Sequence, residues 1–165
     1  MKQTVFVTIA IIAISFLLYL NFFKIKKVGF SHTVISTDKA PAPIGPYSQA
    51  ILTGNTLFVS GQVAIDVSSG KLDTTGIENE TKRTLQNILA ILDTARMNMG
   101  NIVKTTIYLK DMNDFKTVNE VYEGFLTPYC VSSKTGEKHF PARETVQVAA
   151  LPKGAHIEIS VIAVK

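Results

Sequence analysis

Apolar and polar positions change period along the chain, and each period predicts an element. Residues 4–23 read TVFVTIAIIAISFLLYLNFF, with no charged side chain. A helix of that length spans about 30 Å, the thickness of a bilayer core, so this run predicts a transmembrane helix. Residues 28–40 read as a connector, and Ala40-Pro41-Ala42-Pro43 is stiff and unsuited to a helix or a central strand. Alternating apolar residues in 48–52 and 56–63 flank Thr53-Gly54-Asn55 and predict a hairpin. Thr75-Gly76-Ile77-Glu78 has the form of a capping box. It opens a helix in which Leu85, Ile88, Leu89, Leu92 and Ala95 recur at helical spacing, with Gly100 as its predicted end. Residues 102–109 (IVKTTIYL) predict a strand. Phe115, Val118, Tyr122, Phe125 and Leu126 form the stripe of a second helix, and Pro128 is its predicted stop. Residues 146–151 and 156–164 predict the last strands, joined at Pro152-Lys153-Gly154.

The resulting order, ββ-α-β-α-ββ, defines an α+β domain whose helices cover one face of a mixed sheet. The other face then needs a partner, which predicts an oligomer. The domain is expected over residues 41–165, behind an anchor at 1–27.

Composition changes the picture at the N-terminus. Of seventeen Lys and Arg residues, Lys2, Lys24, Lys26 and Lys27 precede residue 30, whereas all thirteen Asp and Glu residues follow it. The remaining chain is balanced, thirteen against thirteen, so the basic excess belongs to the tail. A nucleic-acid binder concentrates its excess on the folded domain, because phosphate contacts dominate its affinity, and no nucleic-acid partner is expected here. Bulky and charged residues (Phe22, Phe23, Lys24) stand where a signal cleavage site would lie, which favours an uncleaved single-pass membrane anchor. Three lysines after the span against one before it place the domain on the cytoplasmic side.

Cys130 is the single cysteine, so no intrachain disulfide forms. His32, His139 and His156 lack metal-ligand spacing, and no metal site is expected.

Five positions could carry chemistry, each with an ordinary structural reading beside it. Gly61, in Ser60-Gly61-Gln62 at the end of an apolar strand, marks either a kink or a close approach to a ligand. Tyr47, after Gly45-Pro46, closes a pocket or sits half-buried in a core. Asn119, a weak helix former inside a helix, faces solvent or a site. Arg143, in Phe140-Pro141-Ala142-Arg143, offers a planar fork suited to a carboxylate, or is a solvated surface charge. Glu158 alternates with Ile157 and Ile159, on a wet face or against a pocket.

These segments also stand together in a known order. Ala42-Pro43-Ile44-Gly45-Pro46-Tyr47-Ser48-Gln49-Ala50, Phe58-Val59-Ser60-Gly61-Gln62, Val103-Lys104-Thr105-Thr106, Asn113-Asp114-Phe115 with Val118-Asn119, Phe140-Pro141-Ala142-Arg143, and Ala150-Leu151-Pro152-Lys153-Gly154 with Ile157-Glu158-Ile159 resemble the Rid family of reactive-intermediate deaminases. That family is also called RutC or L-PSP endoribonuclease-like, and its RidA subgroup is the best match. The resemblance covers about residue 34 to the end. It implies a chorismate-mutase-like fold, a homotrimer with sites in clefts between subunits, and no metal or organic cofactor. It implies hydrolysis of small-molecule 2-imino acids, of the 2-iminobutanoate and 2-iminopropanoate type, to 2-oxo acids and ammonia.

Carried over by motif, Arg143 would grip the substrate carboxylate, Tyr47 would shape the pocket and contact substrate, and Glu158 would position or activate water. Ser60, Gly61 and Asn119 would line or support the cleft. Thr145 occupies a cleft position that is often cysteine in bacterial relatives, which implies an altered substrate preference. Residues 128–139 are longer than the usual connection by about seven residues, a length that suits a functional surface loop. The anchor is foreign to typical members. Two further functions stay open beside deamination: RNA cleavage or translation inhibition, which the resemblance also carries, and binding of a carboxylate metabolite without turnover.

Overall fold

The computed structural model describes residues 32–132 and 134–165, together with Ser15. Six strands form one mixed sheet: β1 (His32–Ile35), β2 (Ala50–Thr53), β3 (Thr56–Gln62), β4 (Ile102–Leu109), β5 (Ala142–Gln147) and β6 (Ile157–Val164). Their order across the sheet is β1-β2-β3-β6-β4-β5. Only β4 and β5 run parallel; the other neighbours are antiparallel. The parallel pair requires a crossover, and the helix between the two strands supplies it.

Helices α1 (Ile77–Thr94) and α2 (Phe115–Cys130) pack on one face of this sheet. The strand periodicity decides which face. Leu57 and Val59 on β3, Ile107 and Leu109 on β4, and Ile157, Ile159 and Val161 on β6 point the same way and are buried against Leu85, Ile88, Ile91 and Leu92 of α1 and Val118, Tyr122 and Leu126 of α2. Each such aliphatic side chain contributes about 1.5–3 kcal/mol on leaving water. The opposite face carries Val34, Ile51, Phe58 and Ile162 as one cross-strand row that ends at Lys104. Phe58 is 46% exposed and Val34 56% exposed, so this apolar row lacks full cover among the described residues.

The expected single-pass anchor is corrected. Among the described residues no helix is long and apolar enough to cross a membrane. Of the two domain helices, α1 carries Glu78, Glu80, Lys82, Arg83 and Asp93 on an amphipathic frame, and α2 has only sixteen residues. The apolar run at 4–23 lies outside the described residues. Over the described residues the fold class is the α+β domain, with no transmembrane helix among its elements. The membrane localisation, the membrane as partner and the cytoplasmic placement that rested on the anchor are withdrawn with it.

Local chemistry moves several boundaries. The stretch read as connector contributes β1, which pairs with β2 along its length. The Thr75 hydroxyl donates to Asp73, 2.5 Å away, instead of capping α1, and Gly76 takes the N-cap position without a side-chain cap. Helix α1 stops at Thr94, well before Gly100, because Arg96 adopts φ 58° and turns the chain. Gly100 serves packing instead, since a Cβ there would lie 2.8 Å from the Tyr129 carbonyl oxygen and its bareness lets α2 approach. Pro128 sits inside the last turn of α2, which continues to Cys130. Strand β5 begins at Ala142, earlier than the apolar pattern at 146–151 suggests, because its pairing with β4 is set by backbone register and not by side-chain alternation. Arg143 is consequently on a strand.

Candidate active site

The sequence-predicted residues fall into two groups, on two faces of the sheet. The first group lines a cavity of about 340 Å³ formed by Pro41, Ala42, Ile44, Tyr47, Ser60, Gly61 and Glu158 among others. The second lines a cavity of about 530 Å³ formed by Asn119, Tyr122, Glu123, Phe140, Pro141 and Arg143.

The first cavity depends on an irregularity in β3. Pairing between β3 and β6 slips between Val59 and Gln62, as a bulge does. Gln62 Nε2 donates to the carbonyls of Ser60 and Gly61, which fixes the bulged backbone. The Ser60 hydroxyl donates to the Ser48 carbonyl, 2.7 Å away, while its N–H donates to the Gln49 carbonyl. Ser60 is thus a staple, with its hydroxyl proton already engaged. Gly61 is where the side chain of Glu158 crosses: a Cβ on Gly61 would stand 1.8 Å from Glu158 Oε1 and 2.7 Å from its Cδ. Gly61→Ala is therefore expected to keep the fold but push the Glu158 carboxylate from its place. The check is a thermal melt close to that of the unsubstituted protein together with a loss of at least tenfold, about 1.4 kcal/mol, in turnover.

Glu158 lies on the open sheet face, paired across β4 with Tyr108. Partial burial raises its carboxyl pKa above the ordinary 4.5, since the charged form loses solvation. Tyr47 is 46% exposed, its ring lying back against Gly45 and its hydroxyl accepting from the Ile44 N–H at 3.2 Å. That leaves the phenolic proton free to donate into the cavity. The wall at 37–41 is held by Gln49, which is 2% exposed. Its amide donates to the carbonyls of Thr37, Ala40 and Pro41 and accepts from the Thr37 N–H. Sequence reasoning assigned Gln49 no role, because neither its burial nor its bonds to the 37–41 segment can be read from the residue type; once buried, such an amide needs partners.

The second cavity is built around Arg143. Register places Arg143 opposite Thr105 on β4, hence on the helix-covered face. Its Nη2 donates to Asn119 Oδ1 at 2.6 Å. The guanidinium carbon stands 5.0 Å from the centre of the Tyr122 ring and 5.9 Å from that of Phe115, within cation–π range. Tyr122, which periodicity marks only as part of an apolar stripe, shares a hydrogen bond of 2.9 Å with Thr105, and burial pushes its phenol pKa up. These neighbours fix the plane of the fork, Arg143 lines the cavity, and among the described residues its guanidinium makes no hydrogen bond other than that to Asn119. Thr145 follows on the same face, opposite Ile107, and its Oγ1 is buried without a partner among the described residues.

Asn119 and Arg143 are thus in contact, as are Gly61 and Glu158, and Tyr47 and Ser60 share the cavity of the second pair. Within one chain the two groups do not meet, since Arg143 belongs to the helix face of the sheet and Glu158 to the open face. Among the described residues no group of three or more potential metal ligands is assembled.

A six-stranded α+β domain thus carries the Arg143 guanidinium in one cavity and the Glu158 carboxylate in another, and the two cavities are separate in the single chain. A family model described as Endoribonuclease L-PSP matches residues 37–165, and the chain belongs to this family, the Rid proteins. The human protein named 2-iminobutanoate/2-iminopropanoate deaminase is 48% identical over 132 residues, which cover 80% of this chain and 89% of that one. Among solved structures, YyfA of Yersinia pestis, described as a protein of the conserved Rid family, is 44% identical with a TM-score of 0.73 and covers 82% of this chain and 100% of its own. E. coli TdcF with bound serine is 36% identical with a TM-score of 0.72, covering 81% and 98%.

Proposed function

We propose that this protein hydrolyses 2-imino acids of the 2-iminobutanoate and 2-iminopropanoate type to 2-oxo acids and ammonia. The observation that carries the reading is the Arg143 fork, fixed by Asn119, flanked by aromatic rings and lining a cavity of small-metabolite size. The names of relatives sharing nearly half their residues support it. The serine bound by TdcF is a small ligand with the same α-carboxylate.

The active unit is a homotrimer, in which one copy supplies Arg143 and Asn119 and its neighbour supplies Tyr47, Gly61 and Glu158. Two observations favour such an assembly: the uncovered apolar row Val34-Ile51-Phe58-Ile162, and the placement of the half-sites on opposite sheet faces. In that cleft the α-carboxylate takes two parallel hydrogen bonds from Arg143, which fixes the plane of the imine. Glu158 accepts a proton from a water as its oxygen attacks C2 and delivers that proton to the imine nitrogen, forming a tetrahedral aminoalcohol. The hydroxyl proton then passes through the same carboxylate to the amino nitrogen, the carbon–nitrogen bond breaks, ammonia leaves, and the carbonyl of the 2-oxo acid forms. Holding imine and water together lowers the barrier by orientation, and the Tyr47 hydroxyl is placed to stabilise developing charge. Thr145 follows the fork on the same sheet face, its hydroxyl unpartnered among the described residues, but it is not part of the lining of the Arg143 cavity in the single chain.

The test uses a pyridoxal-phosphate-dependent threonine dehydratase to release the enamine, with imine decay followed by semicarbazide trapping. The full-length protein is expected to shorten the imine lifetime in proportion to its concentration. No acceleration at a large excess of protein would refute the proposal. No histidine lines either cavity among the described residues, so RNA cleavage by paired histidines has no support at this site.

A further inference from the structure

The described residues 131–132 and 134–139 play no part in the proposed hydrolysis, yet they are built onto the Arg143 cavity. Val131 and Lys138 form an antiparallel bridge, and the His139 N–H donates to the Cys130 carbonyl at 2.7 Å, so the turn folds back on the end of α2. This sets Lys138 Nζ 2.6 Å from Glu123 Oε1 and 6.0 Å from the centre of the Phe140 ring. Glu123 and Phe140 both line the cavity that holds Arg143, whereas Lys138 stands outside it. On α2 Glu123 follows Asn119 by four residues, so the two share one stripe with their Cβ atoms about 5–6 Å apart. Asn119 is bonded to Arg143. The cavity thus has a cation at one end and a carboxylate one helical turn away, with Tyr122, Phe140 and Pro141 as its walls.

We infer that Glu123 is a specificity residue of this cavity, favouring 2-imino acids with neutral side chains over those with a second carboxylate, and that Lys138 tempers its charge. The inference rests on the deaminase reading, which seats the α-carboxylate on Arg143. A substrate so held extends its side chain along the Tyr122 and Phe140 walls toward Glu123, where a second carboxylate meets like charge. Side-chain exposures of 56% for Glu123 and 52% for Lys138 let solvent screen the repulsion, so the discrimination is a matter of a few fold. Because Lys138 compensates Glu123 from outside the cavity, the two residues act on one quantity with opposite signs.

The full-length protein is given the imines of leucine and of glutamate, generated in situ by an amino-acid oxidase, and the ratio of their kcat/KM values is read. Glu123→Gln is expected to lower the leucine-to-glutamate ratio by roughly two- to fivefold, and Lys138→Ala to raise it by a similar factor. Loosening of the turn alone would move both variants in the same direction. A ratio moved the same way by both, or unmoved by either, overturns the inference and leaves the deaminase reading intact. Failure of the unsubstituted protein to hydrolyse either imine overturns the deaminase reading and the inference with it.

Discussion

Glu158→Gln is expected to lower kcat by about 10²- to 10⁴-fold, the range supplied by a positioned general base. Glutamine keeps the shape that threads past Gly61 but cannot accept the proton of the attacking water. The pH profile should identify the same group. Only the ionised carboxylate can act as base, and burial raises its pKa above 4.5. Activity should therefore fall with decreasing pH along an acid limb placed above that ordinary value, and the limb should vanish in Glu158→Gln. Stability responds with the opposite sign. Between the ordinary and the raised pKa the folded chain binds more protons than the unfolded chain, so stability rises as pH falls through that window. Near neutral pH, where the unsubstituted side chain is charged and partly buried, the glutamine variant should be at least as stable as its parent. A variant that loses both activity and stability at neutral pH would argue that Glu158 is a structural residue.

Arg143→Ala should cost about 2–4 kcal/mol of transition-state binding, roughly 30- to 1000-fold in kcat/KM, because it leaves the substrate carboxylate in the cavity without its partner. Arg143→Lys should recover only part of this loss. Lysine keeps the charge but offers no planar fork, and it cannot hold both Asn119 and the carboxylate in the geometry seen here. The measurement is steady-state kinetics in the dehydratase-coupled assay, with a thermal melt as control. An alanine variant with unchanged kcat/KM would remove Arg143 from the site.

From β2 onward the order of elements was legible because α1, β4 and β6 are strongly periodic, and that periodicity is what the core uses: Leu85, Ile88 and Leu92 meet Ile107, Ile157 and Ile159. Features set by register or by competing hydrogen bonds were hidden. Nothing in the alternation of residues 142–147 announces a parallel edge strand, since β5 is specified by its pairing to β4 and carries the half-buried Arg143, Glu144 and Thr145 at the edge of the sheet. Thr75 looked like a cap until Asp73 proved to hold its hydroxyl. At the site, sequence could nominate Arg143 and Glu158 but could not tell that they occupy opposite faces of the sheet, which depends on strand order. Gly61 was legible only as an oddity. Its reason, the passage of the Glu158 carboxylate, exists once β3 lies beside β6. Gln49 and Tyr122 escaped because their roles are hydrogen bonds to distant segments.

The separation of the half-sites yields the most direct test of a cleft shared between copies. Arg143→Ala and Glu158→Gln chains are each expected to be almost inactive when assembled alone. Co-expressed in equal amounts, they form mixed assemblies in which each cleft draws its arginine from one chain and its glutamate from another. About one quarter of clefts then receive both native residues, because each half is drawn independently from two equal pools. Activity restored to about one quarter of the unsubstituted protein's is the predicted result. Mixed assemblies as inactive as either variant alone would contradict a site completed by a neighbouring copy.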